Sequence, residues 1–149
     1  MTRMKLQVHK ETAVRTPATR LKKLFELVTE EEAEPGAAGR VNLVFTDDKR
    51  LRKLNRDFRS KDKTTDVLSF NIDEPDDARA VFGEIYISVP FARRQAGGYG
   101  GTLNEEILRL FCHGLLHLYG YDHQKPAETK TMEQRHEEYL KKLDNQGRS

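Results

Sequence analysis

Apolar and polar side chains alternate from Met4 to His9, with Met4, Leu6 and Val8 on one side, the period of a half-buried strand. The spacing turns helical at Leu21, Leu24, Phe25 and Val28. Thr16-Pro17 stands ahead of them and reads as a hydroxyl cap followed by proline at the first helical position. The acidic run from Glu30 to Glu34 and the turn Pro35-Gly36 close that helix. Val41 to Phe45 predicts a short buried strand, and Thr46 predicts the cap of a second helix that buries Leu51, Leu54 and Phe58 along one face. Two more strands are predicted at Val67 to Asn71 and Phe82 to Ser88, and a short helix from Pro90. After the glycine-rich segment 97–101, Thr102-Leu103-Asn104-Glu105 matches a capping box and opens a strongly apolar helix that runs to Leu118 or Tyr119. A last amphipathic helix is predicted from Glu128 to Leu143, with the tail Asp144 to Ser149 fraying.

This order predicts one domain over residues 1–149 of α/β (α+β) class, a mixed four-stranded sheet packed with helices. A chain of 149 residues can bury enough surface to fold without a disulfide or a structural metal, so any metal site is read as functional. Hydrophobic residues make up 36% and charged residues 34%, and the mean hydropathy is −0.78. No apolar run approaches the roughly 18 residues of a membrane span, and the first residues hold no signal-peptide core. The reading is a cytoplasmic protein with no membrane partner. Its one cysteine, Cys112, has no partner for an internal disulfide and is read as a core thiol.

Three of the five histidines fall in the segment His113-Gly-Leu-Leu-His117-Leu-Tyr-Gly120-Tyr-Asp-His123. Residues four apart on a helix differ by about 40° in azimuth and roughly 6 Å in rise, so His113 and His117 can aim both imidazoles at one ion. Gly120 can take positive φ just past the helix and turn the chain so that His123 returns as a third ligand. The expected metal site therefore lies on a buried helix and the turn after it. This spacing matches the metzincin motif except at Gly114, where a metalloprotease carries its general-base glutamate. Three protein ligands leave a fourth position open, as in catalytic rather than structural zinc. Asp122, beside the third ligand, suits either orientation of an imidazole or an ordinary turn. His9 and His136 are read as surface residues.

Residues 49–63 carry eight basic and two acidic side chains, a net of +6 in a chain whose total is +2. Lys49, Arg52, Lys53 and Arg56 share a helical stripe, and Arg59, Lys61 and Lys63 carry the charge into a loop. Beside a hydrolytic metal, such a concentration suits a polyanionic substrate, with cations holding backbone phosphates.

Three separated blocks resemble the YbeY family of bacterial rRNA maturation factors. They are Leu54-Asn55-Arg56-Asp57-Phe58-Arg59 running into Thr65-Asp66-Val67-Leu68-Ser69-Phe70, then Gly83-Glu84-Ile85-Tyr86-Ile87-Ser88, then His113 to His123 with Met132 and Gln134. The resemblance implies a single-strand-specific, metal-dependent endoribonuclease acting in 16S rRNA 3′ end maturation and ribosome quality control. It implies His113, His117 and His123 as ligands of one divalent ion, zinc (Zn2+), and Arg59 as the functional arginine of the cleft. It also implies single-stranded RNA and rRNA as substrates, with the small ribosomal subunit and assembly factors such as the GTPase Era as partners. Thr64, Asn71 and Glu84 depart from the family pattern, which has proline, proline and aspartate there. The alternative is a non-catalytic, rRNA-binding ribosome-assembly factor whose metal is structural. The general base, and the choice between water and the RNA 2′-hydroxyl as nucleophile, stay open.

Overall fold

The computed structural model describes residues 2–72, 76–98, 101–121 and 126–147. In chain order the elements are β1 (Arg3–Lys10), α1 (Ala18–Glu32), β2 (Ala38–Thr46), α2 (Asp48–Arg59), β3 (Val67–Asn71), β4 (Asp76–Ser88), α3 (Val89–Gly98), α4 (Leu103–Leu118) and α5 (Pro126–Gly147). The described strands form one mixed sheet in the order β1-β2-β4-β3, with β1, β2 and β4 parallel and β3 antiparallel to β4 at one edge. The α/β class and the mixed four-stranded sheet are those expected from the element order.

Alternation along the strands divides the core in two. Leu43, Phe45, Ile85 and Ile87 face α1, α4 and α5, joining Leu21, Leu24, Phe111, Leu115 and Tyr139 in the larger cluster. Val44, Leu68 and Tyr86 face the other way and pack with Leu51 and Leu54 of α2. Phe58 does not follow them: it is 69% exposed rather than buried with Leu51 and Leu54. It sits in the last turn of α2, where its ring packs edge to face with that of Phe70 at a centroid distance of 5.5 Å.

Element ends depart from expectation in several places: β4 begins at Asp76 rather than Phe82, α5 at Pro126 rather than Glu128, and three helix ends differ in their ties. Asp47, not Thr46, caps α2, because its carboxylate accepts the Arg50 amide at 2.9 Å while Thr46 still pairs in β2. At α1 the capping position is Pro17 itself, with no side-chain cap bond from Thr16. The expected fraying tail is helical to Gly147; Asp144 is tied to Arg20 of α1 at 2.6 Å, while residues 148–149 lie outside the described set. The capping box at the head of α4 is present, with the Glu105 amide donating to the Thr102 hydroxyl at 3.1 Å and the Thr102 amide to the Glu105 carboxylate at 3.2 Å.

The contact that sets the architecture is the crossing of α4 over β3 and β4. A Cβ at Gly114 would stand 2.8 Å from Ile85 Cγ2 and 3.0 Å from Ser69 Oγ. One at Gly83 would meet Leu118 at 2.7 Å. Glycine on each surface lets helix and sheet approach more closely than side chains would permit. Two hydrogen bonds fasten the crossing, from Ser69 Oγ to the Gly114 carbonyl at 3.3 Å and from Asn71 Nδ2 to the Leu118 carbonyl at 2.9 Å.

Ile85 is fully buried and its Cγ2 is attached directly to the branched carbon, so it cannot swing away from an added methyl without moving β4. Overpacking should outweigh the helix-propensity gain, and Gly114→Ala is expected to lose about 1 to 2 kcal/mol in urea unfolding. Unchanged or increased stability would show that the crossing tolerates a side chain.

Candidate functional site

The apolar positions of α4 face the core and the sheet, which turns His113 and His117 outward to half-buried positions over β3. Their Nε2 atoms converge to 3.2 Å, with ring centroids 4.7 Å apart and ring planes at 74°. Two nitrogens each about 2.0 to 2.1 Å from a tetrahedral zinc stand about 3.3 to 3.4 Å apart, so the pair fits two ligand positions of one ion. His123 and Asp122 lie outside the described residues. Among the described residues no group of three His, Cys, Asp or Glu side chains converges in metal-holding geometry, and the described part of the expected ligand set is this pair. Gly120 has φ of 100°, the left-handed turn that the sequence motif requires just past the helix.

The pair opens into a cleft of about 860 Å³ between α4, β3 and the loop after α2, lined also by Arg59, Lys61, Lys63, Asp66 and Tyr121. Arg59, at the end of α2, reaches this cleft over the edge of the sheet. Its Nη2 donates to the Ser69 carbonyl at 2.8 Å, and its guanidinium lies over the Phe70 ring at 5.4 Å. Asp57 and Asp62, the acids nearest to it in sequence, are engaged by Arg56 at 3.5 Å and Arg52 at 2.9 Å. Arg52 holds the Asp62 carboxyl below the usual carboxylate range through that hydrogen bond. The helical stripe is therefore exposed but partly self-neutralised, and the cations that line the cleft are those of the loop.

That loop is shaped from within α2. Ser60 ends the helix in the left-handed region with φ of 56°. The buried Asn55 donates its side-chain amide to the Lys63 carbonyl at 2.9 Å, and Thr64 donates its hydroxyl to the Asp48 carbonyl at 3.0 Å. Asp66 at the head of β3 accepts the Val67 amide at 2.8 Å and the Gln95 side chain at 3.3 Å.

The segment after α4 is held by an anchor that residue spacing did not reveal. Tyr121, on the cleft wall, donates its hydroxyl to Glu32 of α1 at 2.9 Å, and Tyr139 of α5 donates to the same carboxylate. Burial first, then the Glu32 carboxylate, pushes both phenols above their ordinary range. Glu32 is remote in sequence and sits in an acidic run that reads as a helix terminator. The only signal for it was the tyrosine beside Gly120.

Cys112 is fully buried on the core side of α4, and desolvation pushes its thiol up to about 12, so it remains a thiol and stays out of the site. His9 is exposed beside Asn42. His136 is not a plain surface residue: it is half-buried, its Nε2 lies 3.0 Å from the Arg109 carbonyl, and its ring is 6.5 Å from that of His113. It lines a second cleft of about 870 Å³ between α4 and α5 that includes His113 but neither His117 nor Arg59.

Comparison with known proteins agrees over nearly the whole chain. The family model "Endoribonuclease YbeY" matches residues 5–144. A protein of Desulforamulus reducens named Endoribonuclease YbeY is 43% identical over 109 residues, covering 69% of this chain and 71% of that one. One of the same name from Sulfurovum is 37% identical over 123 residues, covering 80% of this chain and 78% of its own. The solution structure of TM1509 from Thermotoga maritima superposes with a TM-score of 0.63 at 28% identity, over 96% of this chain and 91% of that one. With the family model matched along the sheet, the helices and the cleft between them, the chain belongs to the YbeY endoribonuclease family.

Proposed function

We propose that this protein is a metal-dependent endoribonuclease that cuts single-stranded RNA, with rRNA of the small ribosomal subunit as its substrate and 16S rRNA 3′ end maturation and ribosome quality control as its setting. The observation that carries the reading is the convergence of the His113 and His117 Nε2 atoms at 3.2 Å in the same cleft as Arg59. The names of the relatives and the matched family support the RNA substrate class.

His113 and His117 would hold one divalent ion, zinc, with His123 as the third ligand. When bound, such an ion supplies Lewis-acid polarisation of a phosphoryl oxygen. The chain's own residues do the rest. Arg59 is aimed by its bond to Ser69 and by the Phe70 ring, which leaves its guanidinium facing the cleft to pair with a phosphate oxygen and to strengthen that contact as charge builds. Lys61 and Lys63 hold neighbouring phosphates along the same wall. A protease reading finds no support, because the glutamate that would act as its base has no room at position 114.

His117→Ala should keep the helical circular dichroism signal while elemental analysis falls from one ion per chain to none, and RNA cleavage should disappear with it. A wild-type chain that carries no ion after purification without chelators, and takes none up from zinc, contradicts the reading. If the variant loses its ion and still cuts RNA at the wild-type rate, the metal is structural.

Arg59→Ala should keep its fold and its ion and lose cleavage by about 100- to 1000-fold, the scale of removing one donor from developing charge. Arg59→Lys should recover RNA binding better than rate, since it keeps the charge and loses the fork. Cleavage by Arg59→Ala at the wild-type rate would remove the arginine from the mechanism.

Each cation that neutralises a single-strand phosphate adds about 0.7 to the slope of log affinity against log salt. The double change of Lys61 and Lys63 to glutamine should therefore flatten that slope by about 1.4, with affinity falling for all sequences alike. An unchanged slope would place both lysines away from the strand.

A further inference from the structure

The opposite side of β3 carries a feature that the cleft does not use. Phe58 is 69% exposed and Ile72 is 52% exposed, the largest exposures of large hydrophobic side chains among the described residues. They flank a groove of about 520 Å³ floored by Phe70 and Tyr86. The rings are arranged edge to face, Phe58 with Phe70 at 5.5 Å and Phe70 with Tyr86 at 6.1 Å, so Phe58 offers ring surface to solvent while the other two brace it. Cations border the groove. Arg50 lies 5.9 Å over the Tyr86 ring, Arg59 lies 5.4 Å over the Phe70 ring, and Lys53 joins the lining. The two acids of the lining are already engaged, Asp57 by Arg56 at 3.5 Å, and Glu84 by the Tyr86 hydroxyl at 3.0 Å and the Asn42 amide at 3.3 Å.

Arg59 makes this groove and the catalytic cleft one surface. Its guanidinium bonds the Ser69 carbonyl at the free edge of β3, with the cleft on one side and the face of Phe70 on the other. We propose that the groove is a nucleobase platform: an unpaired base next to the phosphate held by Arg59 crosses the β3 edge and stacks on Phe58. Every base presents a π face and follows a phosphate, so exposed aromatic surface rimmed by arginines suits a single strand without regard to its sequence. A base held in a duplex is already stacked and cannot reach the ring, which gives the site a physical preference for single strands. A stable protein interface buries about 800 Å² on each partner, far more apolar surface than two exposed side chains flanking a groove of about 520 Å³ supply, whereas a single base fits it. The inference rests on the endoribonuclease reading and adds a substrate subsite to it.

The test uses the zinc-loaded full chain and a short single-stranded RNA carrying 2-aminopurine at each position in turn, mixed by stopped flow and read before cleavage. One position is expected to be quenched by the wild-type protein. Phe58→Ala should abolish that quench and weaken binding about tenfold, within the range measured for single base–aromatic stacks. Phe58→Trp should retain both, and the salt slope should not move, because no phosphate contact is lost. Replacing the quenched nucleotide with an abasic one should weaken wild-type binding by the same factor and abolish the difference between wild type and Phe58→Ala. If the wild type binds and cuts RNA while Phe58→Ala matches it in affinity and quench, the platform is overturned, the nuclease reading stands, and the groove faces a protein or solvent. If the wild type neither binds nor cuts RNA, both fall.

Discussion

The structure depends on one close approach, that of α4 against β3 and β4 at Gly114 and Gly83. With no Cβ on either surface, the helix settles far enough for Ser69 to bond the Gly114 carbonyl and Asn71 the Leu118 carbonyl. These contacts fix the helix in both translation and rotation. Its rotation decides the chemistry, because His113 and His117 point into the cleft only while Cys112, Leu115 and Leu116 face the core. The same crossing explains why the histidine spacing of a metalloprotease appears here without its glutamate. A base at position 114 would have to occupy the space of Ile85 and Ser69.

Much of this was legible in the sequence. A helical pair at i and i+4 needs only the helix, and the capping box of Thr102 and Glu105 together with the apolar run behind it specified the helix strongly. Strand β3 was legible to the residue because it is short and follows the polar stretch from Ser60 to Asp66. What could not be read were choices made by tertiary contact. Phe58 has the spacing of a buried residue, but in the last turn of α2 it packs on one side against Phe70 of the edge strand and stays 69% exposed. Thr46 is also a capping type, though a weaker one than Asp47, and it stays in the ladder paired with Ser88 of β4, so the cap falls to Asp47. Arg52 and Arg56 read as a cationic face, yet the acids that engage them lie 10 residues on for Arg52 and next door for Arg56. Such pairs between exposed groups leave no trace in helical periodicity.

Asn71, Thr64 and Glu84 all make side-chain bonds in the structure. Asn71 fastens the end of α4, Thr64 ties the loop after α2 to Asp48, and Glu84 joins Tyr86 to Asn42 across the sheet. Asn71 and Thr64 line the cleft that holds the histidine pair, so their bonds bear on how its walls are held. The Glu32 carboxylate acts similarly at a distance: by accepting from Tyr121 and Tyr139 it links α1, α5 and the residue just past Gly120. The site is thus a set of polar ties around one rigid helix, with Arg59 posted on the sheet edge between the histidine cleft and the aromatic groove.

His113 borders two clefts, and only one of them also holds His117 and Arg59. The most direct measurement is therefore a crystal structure of the zinc-loaded protein, with the anomalous signal at the zinc edge used to place the ion. The account predicts one peak about 2.0 to 2.1 Å from both the His113 and His117 Nε2 atoms, on the Arg59 side of α4. A peak in the α4–α5 cleft beside His136, or none at the histidine pair, would contradict it.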